Sequence, residues 1–212
     1  METTRMPGLA RGSARRRVFT GALLTAAAAF TLQACDDGPT ESRRESRIND
    51  RAGDFLASFA GPRNPDLDVL RGEASFDGAS FVFQSTSAGP IGTTPGALFV
   101  WGVNRGAGTA RFPDIAPGVL FYAVVIAQAD GTGRVVYLTA TPPAPTVLPA
   151  GSVTVSGNNL TIRVPAALLP SRGFTPGREY TVNHWPRTGA GNNNQISDFA
   201  PDNSNVPVRI TR

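Results

Sequence analysis

Lysine is missing from this 212-residue chain, so all 20 basic residues are arginines. There is one histidine, His184, one cysteine, Cys35, and two methionines, Met1 and Met6, both near the start. Each gap removes a chemistry. Schiff-base catalysis has no amine to use, no disulfide can close within the chain, and a structural zinc site of several Cys or His ligands cannot form. Helix-period apolar patterning is almost absent, with only Ala166 to Leu169, after Pro165, reading as one short turn. No G-x-S-x-G elbow occurs, and the glycine pairs in RGAGTA and DGTGRV do not complete G-x-G-x-x-G or lead into a helix. They read as turns.

What is present begins with an address. Arg5, Arg11, Arg15, Arg16 and Arg17 stand against a single Glu2, and Val18 to Leu32 follows without a charge. That is the order of an export signal, with an apolar run shorter than the roughly 20 residues a spanning helix needs. Leu32, Gln33, Ala34 and Cys35 resemble the lipobox of bacterial lipoproteins. The resemblance implies cleavage before Cys35 and a diacylglycerol thioether on that residue, a lipid anchor that also removes its thiol from catalysis. Arg16-Arg17-Val18-Phe19 also looks like the core of a twin-arginine signal, although an arginine-rich Sec signal accounts for it as well. The expectation is an envelope protein held to a membrane and facing the periplasm or the cell surface.

The formal charge of +4 would invite a nucleic-acid partner, but the excess lies in the leader. Beyond residue 34 the chain has 15 basic and 15 acidic residues and no basic stripe to track phosphates. Nucleic acid is therefore not an expected partner. The expected organisation is residues 1–34 as signal peptide, 35–53 as lipidated N-terminus and flexible tether, and 54–212 as a single domain. The tether reading rests on five acids, four arginines and almost nothing apolar between Asp36 and Gly53, a composition poor in burial. As a coil it would reach about 20–25 Å.

From Asp54 onward, short β-rich runs alternate with Gly, Pro, Asn and Asp. Asp77-Gly78 and Gly157-Asn158-Asn159 mark hairpins, Asp130-Gly131 marks another turn, and LFVWGV (Leu98 to Val103) and VLFYAVVIAQ (Val119 to Gln128) read as strands. Tyr180 to Asn183 and Val206 to Ile210 are further candidates. Tight turns at this spacing predict an all-β fold, a single antiparallel β-sandwich.

The segments DLDVLRGEASFDGASFVFQ, LFVWGVNRG and VTVSGNNLTIRVPAALLP resemble the strand grammar of carbohydrate-binding-module-9-like and DOMON-like sandwiches. That resemblance implies a binding module with a glycan as one class of ligand. Haem held by a His and a Met, a use found among DOMON relatives, is excluded because both methionines lie in the leader. WPRTGAGNNNQISDFAPDN, Trp185 to Asn203, resembles a C-terminal segment of secreted bacterial β-rich proteins, some of them calcium-binding.

The remaining site candidates are few. His184 could act as a general base beside a hydroxyl, but at a strand end it reads more simply as a ring facing solvent or satisfying a loop carbonyl. Asp66 and Asp68, two apart, would share a face of an extended segment; such a pair more often binds a cation or caps a turn than straddles a glycosidic bond, and with Trp185 they form the expected ligand-binding set. Asp198, Asp202, Asn203 and Asn205 offer hard oxygens suited to Ca²⁺, with Asx-turn capping as the competing account. Trp101, Tyr122, Phe99, Trp185 and Tyr180 supply either a sugar-stacking platform or core. Three functions follow: a lipid-anchored module binding a glycan or another envelope component, a polysaccharide or ester hydrolase using His184 or the acidic pairs, and a passive structural lipoprotein. No residue is assigned as catalytic.

Overall fold

The computed structural model describes residues 46–138 and 144–211; the expected signal peptide, Cys35 and the first part of the expected tether lie outside them. The fold is all-β, two antiparallel sheets packed face to face as the turn spacing predicts. The strands are β1 (Arg47–Asn49), β2 (Val69–Phe76), β3 (Ser80–Ser87), β4 (Leu98–Asn104), β5 (Thr109–Ala110), β6 (Leu120–Phe121) and β7 (Ala123–Ala127). They continue with β8 (Gly133–Tyr137), β9 (Pro145–Val147), β10 (Val153–Ser156), β11 (Asn159–Pro165), β12 (Thr181–Arg187), β13 (Val206–Pro207) and β14 (Arg209–Ile210). The first sheet runs β1-β2-β3-β11-β10 and the second β13-β12-β4-β7-β8-β9, with β5 and β6 forming a small separate ribbon.

Local chemistry sets the hairpins. Between β2 and β3 the Asp77 carboxylate accepts from the Ala79 and Ser80 amides at 2.9 and 2.7 Å, and Gly78 takes φ +93°, a conformation that favours glycine. In the first sheet alternation then sorts the faces: Ala74, Phe81, Phe83, Leu160, Ile162 and Val164 point inward and are buried, while Arg71, Gln84 and Arg163 point outward.

Strand β4 departs from alternation, being buried along its whole length, because both of its faces are covered. One face carries Phe99, Trp101 and Val103 into the core between the sheets. The other carries Leu98 and Val100 into a second cluster with Phe112, Phe121, Trp185, Ile196 and Phe199. Trp185 lies across Gly102, where a Cβ would sit 2.6 Å from the indole. Phe112, Phe121 and Phe199 surround that indole, with ring centroids 4.9 to 5.8 Å away.

The folded unit also starts earlier than expected. Residues 47–49 are an edge strand, pairing Arg47 with Glu73, Ile48 with Gly72 and Asn49 with Arg71. A charged segment is ordered here because its one large apolar side chain, Ile48, is 2% exposed. Ile48 fills the space Gly72 leaves beside Trp101, and that burial with the strand pairing offsets the ordering entropy. The Val206 to Ile210 candidate is likewise divided: β13 pairs with β12 in one sheet and β14 with β2 in the other.

Candidate functional site

The outer face of the first sheet carries a broad polar groove of about 580 Å³. Strand register builds it in two rows, Arg47–Glu73–Gln84–Thr161 and Asn49–Arg71–Thr86–Asn159. Glu73 accepts from Arg47 at 3.3 Å and from Arg209 at 3.1 Å, and Thr86 Oγ1 donates to Asn159 Oδ1 at 2.8 Å. None of its lining residues is aromatic. The groove offers donors and acceptors in alternation over a mixed-charge floor.

A second constellation lies where the segment after β1 meets the loop after β12. Carboxylate oxygens of Asp50, Asp198 and Asp202 lie within 4.8 Å of one another, as do those of Asp54, Asp68 and Asp198. Backbone pairing positions them. The Asp50 amide donates to the Leu70 carbonyl at 2.9 Å, while Ser197 Oγ donates to the Leu67 and Pro186 carbonyls at 2.8 and 3.0 Å. His184 and Ala200 exchange two main-chain hydrogen bonds. Asp198 Oδ2 accepts from the Val69 amide at 3.1 Å, Asp68 Oδ2 from the Gly53 amide at 2.9 Å and Asp50 Oδ1 from the Arg51 amide at 3.1 Å. Among the described residues none of the five carboxylates has an arginine in ion-pair contact. Burial, followed by the charge of neighbouring aspartates, pushes Asp198 up to about 8 and Asp50 up to about 7; burial also raises Asp68.

Sequence reasoning reached part of this cluster and missed the rest. Asp68, Asp198 and Asp202 join it, whereas Asp50 falls in the expected tether and Asp54 belongs to no motif. A signal was available in Ile48, the lone large apolar residue in a charged run. Asp66 does not share a face with Asp68, because it sits in a 3-10 turn, Pro65–Leu67. Its buried carboxylate accepts from the Thr94 amide at 2.8 Å and hydroxyl at 2.6 Å. Asn203 and Asn205 are occupied as loop clasps: Asn203 Oδ1 accepts from the Gly118 amide at 2.7 Å and Asn205 Oδ1 from the Leu120 amide at 3.1 Å.

The aromatic candidates mostly form core. Phe99, Trp101 and Tyr180 are 0% exposed and Trp185 is 1% exposed, so Trp185 presents no stacking face to a ligand. Tyr122 is half-buried, with the guanidinium groups of Arg111 and Arg172 each within 6 Å of its ring centroid. His184 is fully buried within β12 rather than at a solvent-facing strand end. Its ring stacks on Trp101 at 4.5 Å between centroids, and Nδ1 lies 2.9 Å from the Val100 carbonyl. Since a carbonyl only accepts, Nδ1 carries the proton. Desolvation lowers the ring to about 4, so it stays neutral, without a hydroxyl to activate. Asp66, His184 and Trp185 therefore do not converge with the acidic cluster.

No protein family, curated protein or solved structure matches the chain. No helix among the described residues is long and apolar enough to cross a membrane.

Proposed function

We propose that this protein is an exported, lipid-anchored binding module of the bacterial cell envelope, whose groove on the outer face of the first sheet takes a polysaccharide. The observation that carries the reading is the groove itself. Its volume, about 580 Å³, falls in the range of small-ligand sites. Sugar hydroxyls both donate and accept, and the lining supplies both kinds of partner through Arg47, Arg71, Glu73, Gln84, Thr86 and Asn159. The groove opens on the sheet face, where side chains are presented, whereas strand addition by a peptide would use the edge of β1. Two arginines beside one glutamate make a poor track for a polyanion. Anchoring through Cys35 would keep the module among the envelope polymers.

With hydrogen bonds alone and no stacking ring, each contact contributes about 0.5–1.5 kcal/mol. Affinity for an oligosaccharide is therefore modest, and Gln84→Ala or Arg71→Ala weakens it several-fold. Affinity electrophoresis of the full-length protein and both variants through gels containing cell-wall or capsular polysaccharides tests this. Retardation lost in the variants supports the reading. Equal migration of all three proteins in every polysaccharide overturns it. Cys35→Ser, followed by membrane fractionation, tests the anchor separately: the variant should leave the membrane fraction.

A further inference from the structure

From two carboxylate triads, Asp50–Asp198–Asp202 and Asp54–Asp68–Asp198, which share Asp198 and carry buried oxygens that no described residue satisfies, we infer that this cluster is a calcium site. Asp68, 5% exposed, has one oxygen on the Gly53 amide while its other, Oδ1, is buried without a hydrogen-bond partner among the described residues. Asp50 Oδ2 and Asp54 Oδ1 are buried and unpartnered as well. An orphaned carboxylate oxygen loses hydration and gains nothing in return. A divalent cation supplies such a partner, to Asp54 and Asp68 in one triad and to Asp50 in the other.

The donor set selects the metal. Every candidate ligand is a carboxylate oxygen, with no sulfur and no ring nitrogen, which favours a hard cation over zinc or copper. Calcium accepts six to eight oxygens in irregular geometry, filled by carboxylates, main-chain carbonyls and water, whereas magnesium demands a near-ideal octahedron. Asp198 belongs to both groups of three carboxylates. It is the residue the two triads share, Asp50 and Asp202 completing one and Asp54 and Asp68 the other. Its Oδ2 bond to the Val69 amide fixes its orientation against β2.

The site also has a mechanical consequence. Asp50 directly follows β1, and Asp54 opens the next stretch, so both enter from the N-terminal segment. Asp68, Asp198 and Asp202 belong to the body of the sandwich. Calcium would therefore staple the emerging chain to the domain, at the end nearest the expected lipid anchor, and hold β1 in place as one wall of the polar groove. The cation site stands whether or not that groove binds a glycan.

The test uses full-length protein purified in detergent and stripped with EDTA, titrated with CaCl₂ and MgCl₂ and followed by calorimetry and thermal unfolding. Calcium should raise the melting temperature and protect the Arg51–Ala52 bond from trypsin, with magnesium at least tenfold weaker. Asp198→Asn and Asp68→Asn keep the side-chain shape and an acceptor for the amide hydrogen bond. In EDTA they should melt at or above the unsubstituted protein, since a neutral amide replaces a carboxyl whose anion burial and neighbouring aspartates disfavour, and in calcium below it. That crossover is what a ligand gives and a structural carboxylate does not. Asp66→Asn, outside the cluster, should retain the full calcium response. Identical curves in calcium and EDTA would overturn the site, as would an undiminished response in both Asp198→Asn and Asp68→Asn.

Discussion

If β1 belongs to the folded domain, Ile48 must carry real stability, and its neighbour Gly72 tells how much. Ile48→Ala removes three carbons from a side chain that is 2% exposed. At about 0.8 kcal/mol per buried carbon the transfer loss is about 2.4 kcal/mol. A residual cavity of about 40 Å³ adds about 1 kcal/mol at about 24 cal/mol per Å³. Because β1 is an edge strand that can settle inward, the expected cost is about 2–3.5 kcal/mol. Gly72→Ala is the opposing perturbation. Its Cβ would stand 3.0 Å from Trp101 Cη2 and 3.1 Å from Ile48 Cδ1, and Trp101 cannot retreat easily, being packed against Phe83 and His184. Overpacking of this kind costs about 1–3 kcal/mol. With both changes made, the new methyl enters space that Ile48 has vacated, so the double variant should be more stable than additivity predicts by about 1 kcal/mol. Urea unfolding monitored by tryptophan fluorescence measures all three, with m-values checked for constancy. If Ile48→Ala costs less than about 1 kcal/mol and the cycle is additive, the N-terminal strand merely rests on the sheet and the reasoning fails.

Two further perturbations probe buried residues of β12. His184 is held neutral, its folded value of about 4 lying below the unfolded 6.5. The unfolded chain thus binds more protons between these values, so this contribution is whole above pH 6.5 and is lost as pH falls toward 4. Asp50 and Asp198 titrate in the opposite sense and are shared by both proteins, so subtracting His184→Phe from the unsubstituted protein isolates the histidine. The difference should change by about 3 kcal/mol across that window, and parallel pH profiles would refute it. Trp185→Ala empties the centre of the second apolar cluster and should cost about 3–5 kcal/mol in the same urea assay; a loss below about 1 kcal/mol would mean the loops over β4 and β12 are not part of the cooperative fold.

The parts of this protein legible in its sequence are those governed by neighbours along the chain. Asp77-Gly78 makes its turn with its own carboxylate and a glycine's positive φ, and β3 and β11 alternate because side chains on a strand do. Val119 to Gln128 was recognisable as β structure for the same reason, though the break that divides it into β6 and β7 was not. The expected lipid anchor at Cys35 rests likewise on the charge and hydropathy of the residues before it. Tertiary structure decided what depends on residues distant in sequence. It sent β13 and β14, separated by the single residue Val208, to different sheets. It put His184 against Trp101, gave Asp66 to Thr94, and brought Asp50 and Asp54 to Asp198. A carboxylate's partners, its hydration and therefore its chemistry follow from which strands pair, and that pairing is settled by burial summed over both sheets rather than by any short stretch of chain.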